Sequence, residues 1–115
     1  MALPIVVLVD DDPAILRVLV RTLRNAAVEV RETGSPSDAL AIVQREPVAV
    51  LVYDQSMPEM NGSELAARVR SISPATKLVL STGASPGNAC ENFRVVDKPW
   101  RASEMLAAIA AAIAA

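Results

Sequence analysis

Aliphatic runs at Ile5–Val9, Val48–Tyr53 and Lys77–Ser81 have the length and branching of strands buried on both faces, and Val28–Arg31 and Phe93–Val96 add two shorter ones. Between them the apolar positions recur with a helical period. Ile15, Leu19 and Leu23 give a stripe that predicts a helix from Pro13 to about Ala26, with Asp12 as its N-cap. Ser35-Pro36-Ser37-Asp38 is a capped helix start. Ala39, Ile42 and Val43 supply that helix's apolar side, and Pro47 ends it. Leu65, Val69 and Ile72 carry a third helix over Ser63–Ser71, closed by Pro74. Gly83-Ala84-Ser85-Pro86-Gly87-Asn88 is turn chemistry, and Ser103-Glu104 opens a last helix through Met105, Leu106, Ile109 and Ile113. Strands alternating with helices predict βαβ units, hence an α/β fold with a parallel sheet covered on both faces.

Composition narrows the chemistry. With 115 residues the chain is read as one domain, residues 1–115, without internal repeats or a dividing linker. The apolar share is 52% and Tyr53, Phe93 and Trp100 are its aromatics, so the core is aliphatic. A net charge of −2 without a basic cluster argues against direct nucleic-acid binding. The absence of His excludes Ser/His and Cys/His catalysis, His-ligated metals and a phosphohistidine on this chain. The lone Cys90 makes neither an internal disulfide nor a zinc site, and reads as a small residue in an irregular segment. No signal peptide or membrane-spanning stretch is expected, which predicts a cytoplasmic protein with no membrane partner.

What remains distinctive is where the polar residues interrupt the strands. Open parallel sheets bind ligands at the carboxyl ends of their strands. Here those ends would carry Asp10-Asp11-Asp12, Asp54, Ser81-Thr82 and Lys98. An Asp after a strand is also a common loop cap, and Asp12 fits that reading. Asp10 and Asp11 beside Asp54 do not, because clustered carboxylates repel unless a cation offsets them. Oxygen donors without His or Cys favour a hard ion such as Mg²⁺. Phosphoryl transfer needs an in-line nucleophile, a metal and fixed positive charge. Asp54 can be the nucleophile, Lys98 the ammonium and Thr82 a hydroxyl donor, with Gly83 leaving room for the backbone to approach.

Val9-Asp10-Asp11-Asp12, Asp54 with Met57-Pro58 and Asn61-Gly62, Ser81-Thr82-Gly83 and Lys98-Pro99-Trp100 together resemble the receiver domain of two-component response regulators, from Ile5 to the last helix. The resemblance implies a doubly wound, flavodoxin-like (βα)5 parallel sheet with strand order 2-1-3-4-5. It implies phosphorylation of Asp54 by a histidine kinase or histidine phosphotransfer protein, and a protein-interaction surface switched by that event. Asp54, Thr82 and Lys98 match the family's reactive positions. Asp10, Asp11 and Asp54, with the main-chain carbonyl of Ser56, match its Mg²⁺ ligands. Pro99 matches a cis-proline that aims the lysine. Such a chain is a signalling protein that assists its own phosphorylation and dephosphorylation, not an enzyme in the usual sense. It would stand alone or belong to a larger protein such as a hybrid kinase.

Three departures from the family pattern stand out. The Thr82–Lys98 interval is short and rich in Pro and Gly, so the fourth helix is expected to be short or missing. Val95 stands where many receivers carry a switch aromatic. Ser56 and Ala84 occupy the positions that tune dephosphorylation, and neither offers an acid or amide to orient water, which predicts slow loss of phosphate. By resemblance, the last helix and the segment before it are the expected docking surface for an output partner. Trp100 reads as an apolar anchor at the rim or a partner contact.

The competing readings are a phosphate-independent binding module of the same fold and a haloacid-dehalogenase-like phosphatase. The latter would use Asp10 and Asp12, but Ala14 stands where its motif needs Thr or Val, and the chain has no room for a cap. Dinucleotide binding fails because no Gly-rich loop follows the first strand.

Overall fold

The aliphatic runs do form a single sheet. In the computed structural model, which describes residues 2–83 and 93–115, the strands are β1 (Ile5–Val9), β2 (Glu29–Thr33), β3 (Val48–Asp54), β4 (Lys77–Thr82) and β5 (Phe93–Asp97). All neighbouring strands pair in parallel, in the order β2-β1-β3-β4-β5. The doubly wound (βα)5-type sheet and its 2-1-3-4-5 order are therefore as expected. Its direction of growth reverses between β1 and β3, which opens a crevice at their carboxyl ends.

Among the described residues the helices are α1 (Pro13–Thr22), α2 (Pro36–Arg45), α3 (Gly62–Ile72) and the last helix, α4 (Ala102–Ala114). They divide evenly between the faces. Ala39 and Val43 of α2, with Leu65, Ala66 and Val69 of α3, pack on Val7, Val9, Leu51, Tyr53 and Leu80. Leu19 of α1, with Met105, Ile109 and Ala112 of α4, packs on Val6, Leu8, Val50, Val52 and Val79. Alternate residues of the central strands thus feed opposite layers, which is why those strands are unbroken aliphatic runs. A fully buried Leu or Val contributes about 1.5–3 kcal/mol, so these two layers dominate the stability.

The boundaries of α1 and β2 differ most from expectation. α1 ends at Thr22 rather than near Ala26, because Leu23 leaves helical geometry and its N–H is shared among three carbonyls of the last turn. β2 runs to Thr33 rather than Arg31; as an edge strand it tolerates charged Glu29, Arg31 and Glu32, which hides it from a hydrophobicity pattern. The turn expected at 83–88, the shortened fourth helix, Ala84 and Cys90 fall wholly or mainly outside the described residues. No helix among the described residues is long and apolar enough to cross a membrane.

Candidate functional site at the strand ends

β1 and β3 are in register from Val6↔Val50 to Val9↔Tyr53, so Asp10 and Asp54 emerge side by side at the carboxyl edge. Asp10 is 2% exposed, and its Oδ1 accepts the Asp12 N–H at 2.9 Å. Asp12 faces the other way, accepting the Ala14 N–H at 2.9 Å as the α1 cap. Asp12 is thus the helix cap that the sequence suggests.

Carboxylate oxygens of Asp10, Asp11 and Asp54 lie within 4.8 Å of one another. Two like charges that close repel by on the order of 3–4 kcal/mol near a protein surface, more than one hydrogen bond returns. Burial, above all, pushes the Asp10 carboxyl above its ordinary value, with Asp54 and Asp11 adding to the rise; the Asp12 N–H and Lys98 oppose it. Lys98 supplies part of the offset. Its Nζ is 3.4 Å from Asp54 Oδ1 and 3.9 Å from Asp10 Oδ2. One ammonium against three carboxylates leaves a net negative cradle of hard oxygen donors, which fits a small divalent cation.

The loop after Asp54 is tightly folded. The Gln55 N–H donates to Asp54 Oδ1 at 2.9 Å, and the Gly62 N–H donates back to the Gln55 carbonyl at 2.9 Å. A Cβ at Gly62 would stand 2.6 Å from the Asp54 carbonyl oxygen, so only glycine lets α3 start this close to the acid. Asn61 caps α3 through the Glu64 N–H at 2.8 Å. The helix therefore begins one residue before Ser63, and the Asn61-x-x-Glu64 spacing is a sequence signal for that cap. Glu59 reaches from this loop to α2, accepting from the Ser37 N–H at 2.9 Å and from the Ser37 hydroxyl. Ser56 is exposed in the same loop, two residues beyond Asp54.

On the other side, Thr82 ends β4 and is 4% exposed; its carbonyl accepts the Lys98 N–H at 2.8 Å. The Lys98–Pro99 peptide bond is cis, as expected. Val95, at the expected place of the switch aromatic, is half-buried in β5 and packs against the α2/α3 layer. A feature without a warning in the sequence is the Trp100 indole N–H donating to Ser81 Oγ at 2.9 Å. Beside it Ala14, Ile15, Val18, Pro99 and Trp100 line a groove of about 450 Å³ whose rim includes Lys98.

The family model for the response regulator receiver domain matches residues 6–110. This chain belongs to the response-regulator receiver family. As a receiver domain it is similar to the response regulator receiver protein CpdR of Brucella abortus (strain 2308), 31% identical over 107 residues that cover 88% of this chain and 89% of that protein. It is also similar to the transcriptional regulatory protein GlrR of Escherichia coli (strain K12), 32% identical over 75 residues, 65% of this chain but 17% of that longer protein. Among solved structures, the signal receiver domain of an HD domain-containing protein from Pseudomonas fluorescens Pf-5 superposes with a TM-score of 0.87 at 27% identity, covering 96% of this chain and 94% of that one. The Vibrio cholerae chemotaxis protein CheY4 superposes with a TM-score of 0.84 at 29% identity, covering 95% and 98%. Receiver domains are signalling domains rather than enzymes in the usual sense, and they take phosphate from histidine kinases or phosphotransfer proteins.

Proposed function

We propose that this receiver domain accepts a phosphoryl group on Asp54 from the phosphohistidine of a histidine kinase or histidine phosphotransfer protein. The supporting observation is the Lys98 ammonium 3.4 Å from Asp54 Oδ1, at a rim where two further carboxylates converge. An Asp54 oxygen attacks phosphorus in line. The P–N bond breaks, its electron pair returns to the donor's imidazole, and an acyl phosphate forms. Asp10, Asp11, Asp54 and the Ser56 carbonyl would hold Mg²⁺, which would supply charge to offset the repulsion between the carboxylates and the incoming phosphoryl oxygens. Lys98 then pairs with a phosphoryl oxygen in place of the Asp54 carboxylate, and the Thr82 hydroxyl donates to another. The whole chain acts as one such unit, in the cytoplasm where the kinases' donor domains lie.

The donor must bring its ring to Asp54, so the surface around the rim lies under it. The groove between α1 and Trp100 offers an apolar face there, and Val18 is 47% exposed beside it. The phosphorylated state alters a protein-interaction surface that includes α4. Asp54 as the acceptor is tested by incubating the protein with a phosphorylated histidine donor and treating the product with hydroxylamine, which cleaves acyl phosphates. Hydroxylamine-labile label on the wild type and none on Asp54→Asn is expected; label that persists in Asp54→Asn refutes the assignment.

A further inference from the structure

Both residues that end β4 hold the turn carrying Lys98. Thr82 does so through its main chain, taking the Lys98 N–H at 2.8 Å. Ser81 does so through its side chain, taking the Trp100 indole N–H at 2.9 Å. Ser81 is 2% exposed and stands in register with Asp54 on the adjacent strand. Two residues earlier on each strand, Val52 and Val79 share one core layer, so Ser81 and Asp54 project on the same face. The Trp100 ring packs against that layer too. A hydrogen bond thus ties the residue beside Asp54 to the residue two places beyond Lys98.

A lysine stem is flexible, and an ammonium 25% exposed at the side chain has water to follow. Its position between Asp10 and Asp54 therefore depends on how firmly the turn beneath it is set. Packing the indole needs only its ring; placing the turn at one height along β4 needs its N–H. We infer that Trp100 is a positioning residue, whose hydrogen bond to Ser81 sets the Lys98 ammonium against Asp54 and Asp10. This rests on the role proposed above for Lys98.

Lys98 competes with a divalent cation for the same carboxylates, so releasing it has two effects of opposite sense. The Mg²⁺ dissociation constant falls, and at saturating Mg²⁺ the rate of labelling by acetyl phosphate also falls, because the ammonium no longer meets the phosphoryl oxygens. A general loosening of the site would instead weaken Mg²⁺ binding and labelling together. The test takes full-length wild type, Trp100→Phe, Ser81→Ala, the double variant, Lys98→Ala and Lys98→Ala/Trp100→Phe through Mg²⁺ calorimetry and labelling. Trp100→Phe and Ser81→Ala are each expected to tighten Mg²⁺ and slow labelling by roughly two- to tenfold, the worth of one hydrogen bond. The double variant should match the singles, and Trp100→Phe should add nothing once Lys98 is gone. Unchanged constants in Trp100→Phe, weakened Mg²⁺ binding, or an undiminished effect of Trp100→Phe in the Lys98→Ala background would each overturn the inference. A wild type that binds Mg²⁺ but takes no label would count against the proposed function, while the calorimetry still decides the role of Trp100.

Discussion

At the scale of single residues, the site is a problem in charge. Asp10 is almost wholly buried beside Asp54, and burial is what raises its carboxyl above the ordinary value. A buried carboxylate without a full counter-charge destabilises the fold, so Asp10→Asn should melt higher than wild type at neutral pH. The Asn oxygen can still accept the Asp12 N–H, which isolates the charge. A gain on the order of 1 kcal/mol corresponds to a few degrees in a domain of this size. Adding Mg²⁺ should raise the wild-type melting temperature and leave the variant nearly unmoved, as scanning calorimetry would show; equal Mg²⁺ shifts in both would contradict the cation reading. Asp10, Asp11, Asp54 and Lys98 were all legible in the sequence because each interrupts or follows an aliphatic run. The Ser81–Trp100 bond was not, since nothing in a period-2 pattern says that two residues nineteen positions apart share a hydrogen atom.

At the scale of elements, the β3–α3 loop couples the acid to two helices. Gly62→Ala would gain at most about 1 kcal/mol in helix propensity, yet its methyl would meet Asp54 and Gln55 backbone atoms at 2.6 and 2.9 Å. The clash wins. The variant should lose about 1–3 kcal/mol in denaturant titration and lose phosphorylation beyond what that instability explains. Glu59 ties the same loop to the start of α2. The Ser37 hydroxyl, then the Ser37 N–H, holds its carboxyl below the usual 4.5. A depressed acid stabilises above its unfolded value and loses that contribution as pH falls through its folded value. Glu59→Gln should therefore melt lower than wild type near neutrality, with the gap closing below about pH 4.5; a gap independent of pH would contradict the Glu59–Ser37 tie. Strand and helix identities were readable from periodicity because the sheet is buried on both faces. β2 was short-changed because an edge strand is half-solvated, and Glu59's reach was hidden because it lies twenty-two residues from its partner.

At the scale of the whole molecule, topology gathers five strand ends onto one rim and leaves an apolar groove beside it. Val18, exposed on α1 next to that groove, should matter to a protein donor and not to a small one. Val18→Glu is expected to slow transfer from the cognate phosphohistidine protein by about tenfold or more while leaving labelling by acetyl phosphate unchanged, the cost of placing one charge in an apolar contact. Equal rates from the protein donor would place the contact elsewhere. Persistence of the acyl phosphate beyond seconds is expected from Ser56, which brings neither acid nor amide to the loop beside Asp54; loss within seconds would contradict that. Order and layers of the fold could be anticipated because alternating aliphatic strands and amphipathic helices have few ways to bury both faces. The measurement that bears most directly on this account is intact mass after incubation with acetyl phosphate, with and without Mg²⁺, beside Asp54→Asn. The account predicts one added phosphoryl group that requires both Mg²⁺ and Asp54; an adduct of the same mass on Asp54→Asn, or one formed equally well without Mg²⁺, would contradict it.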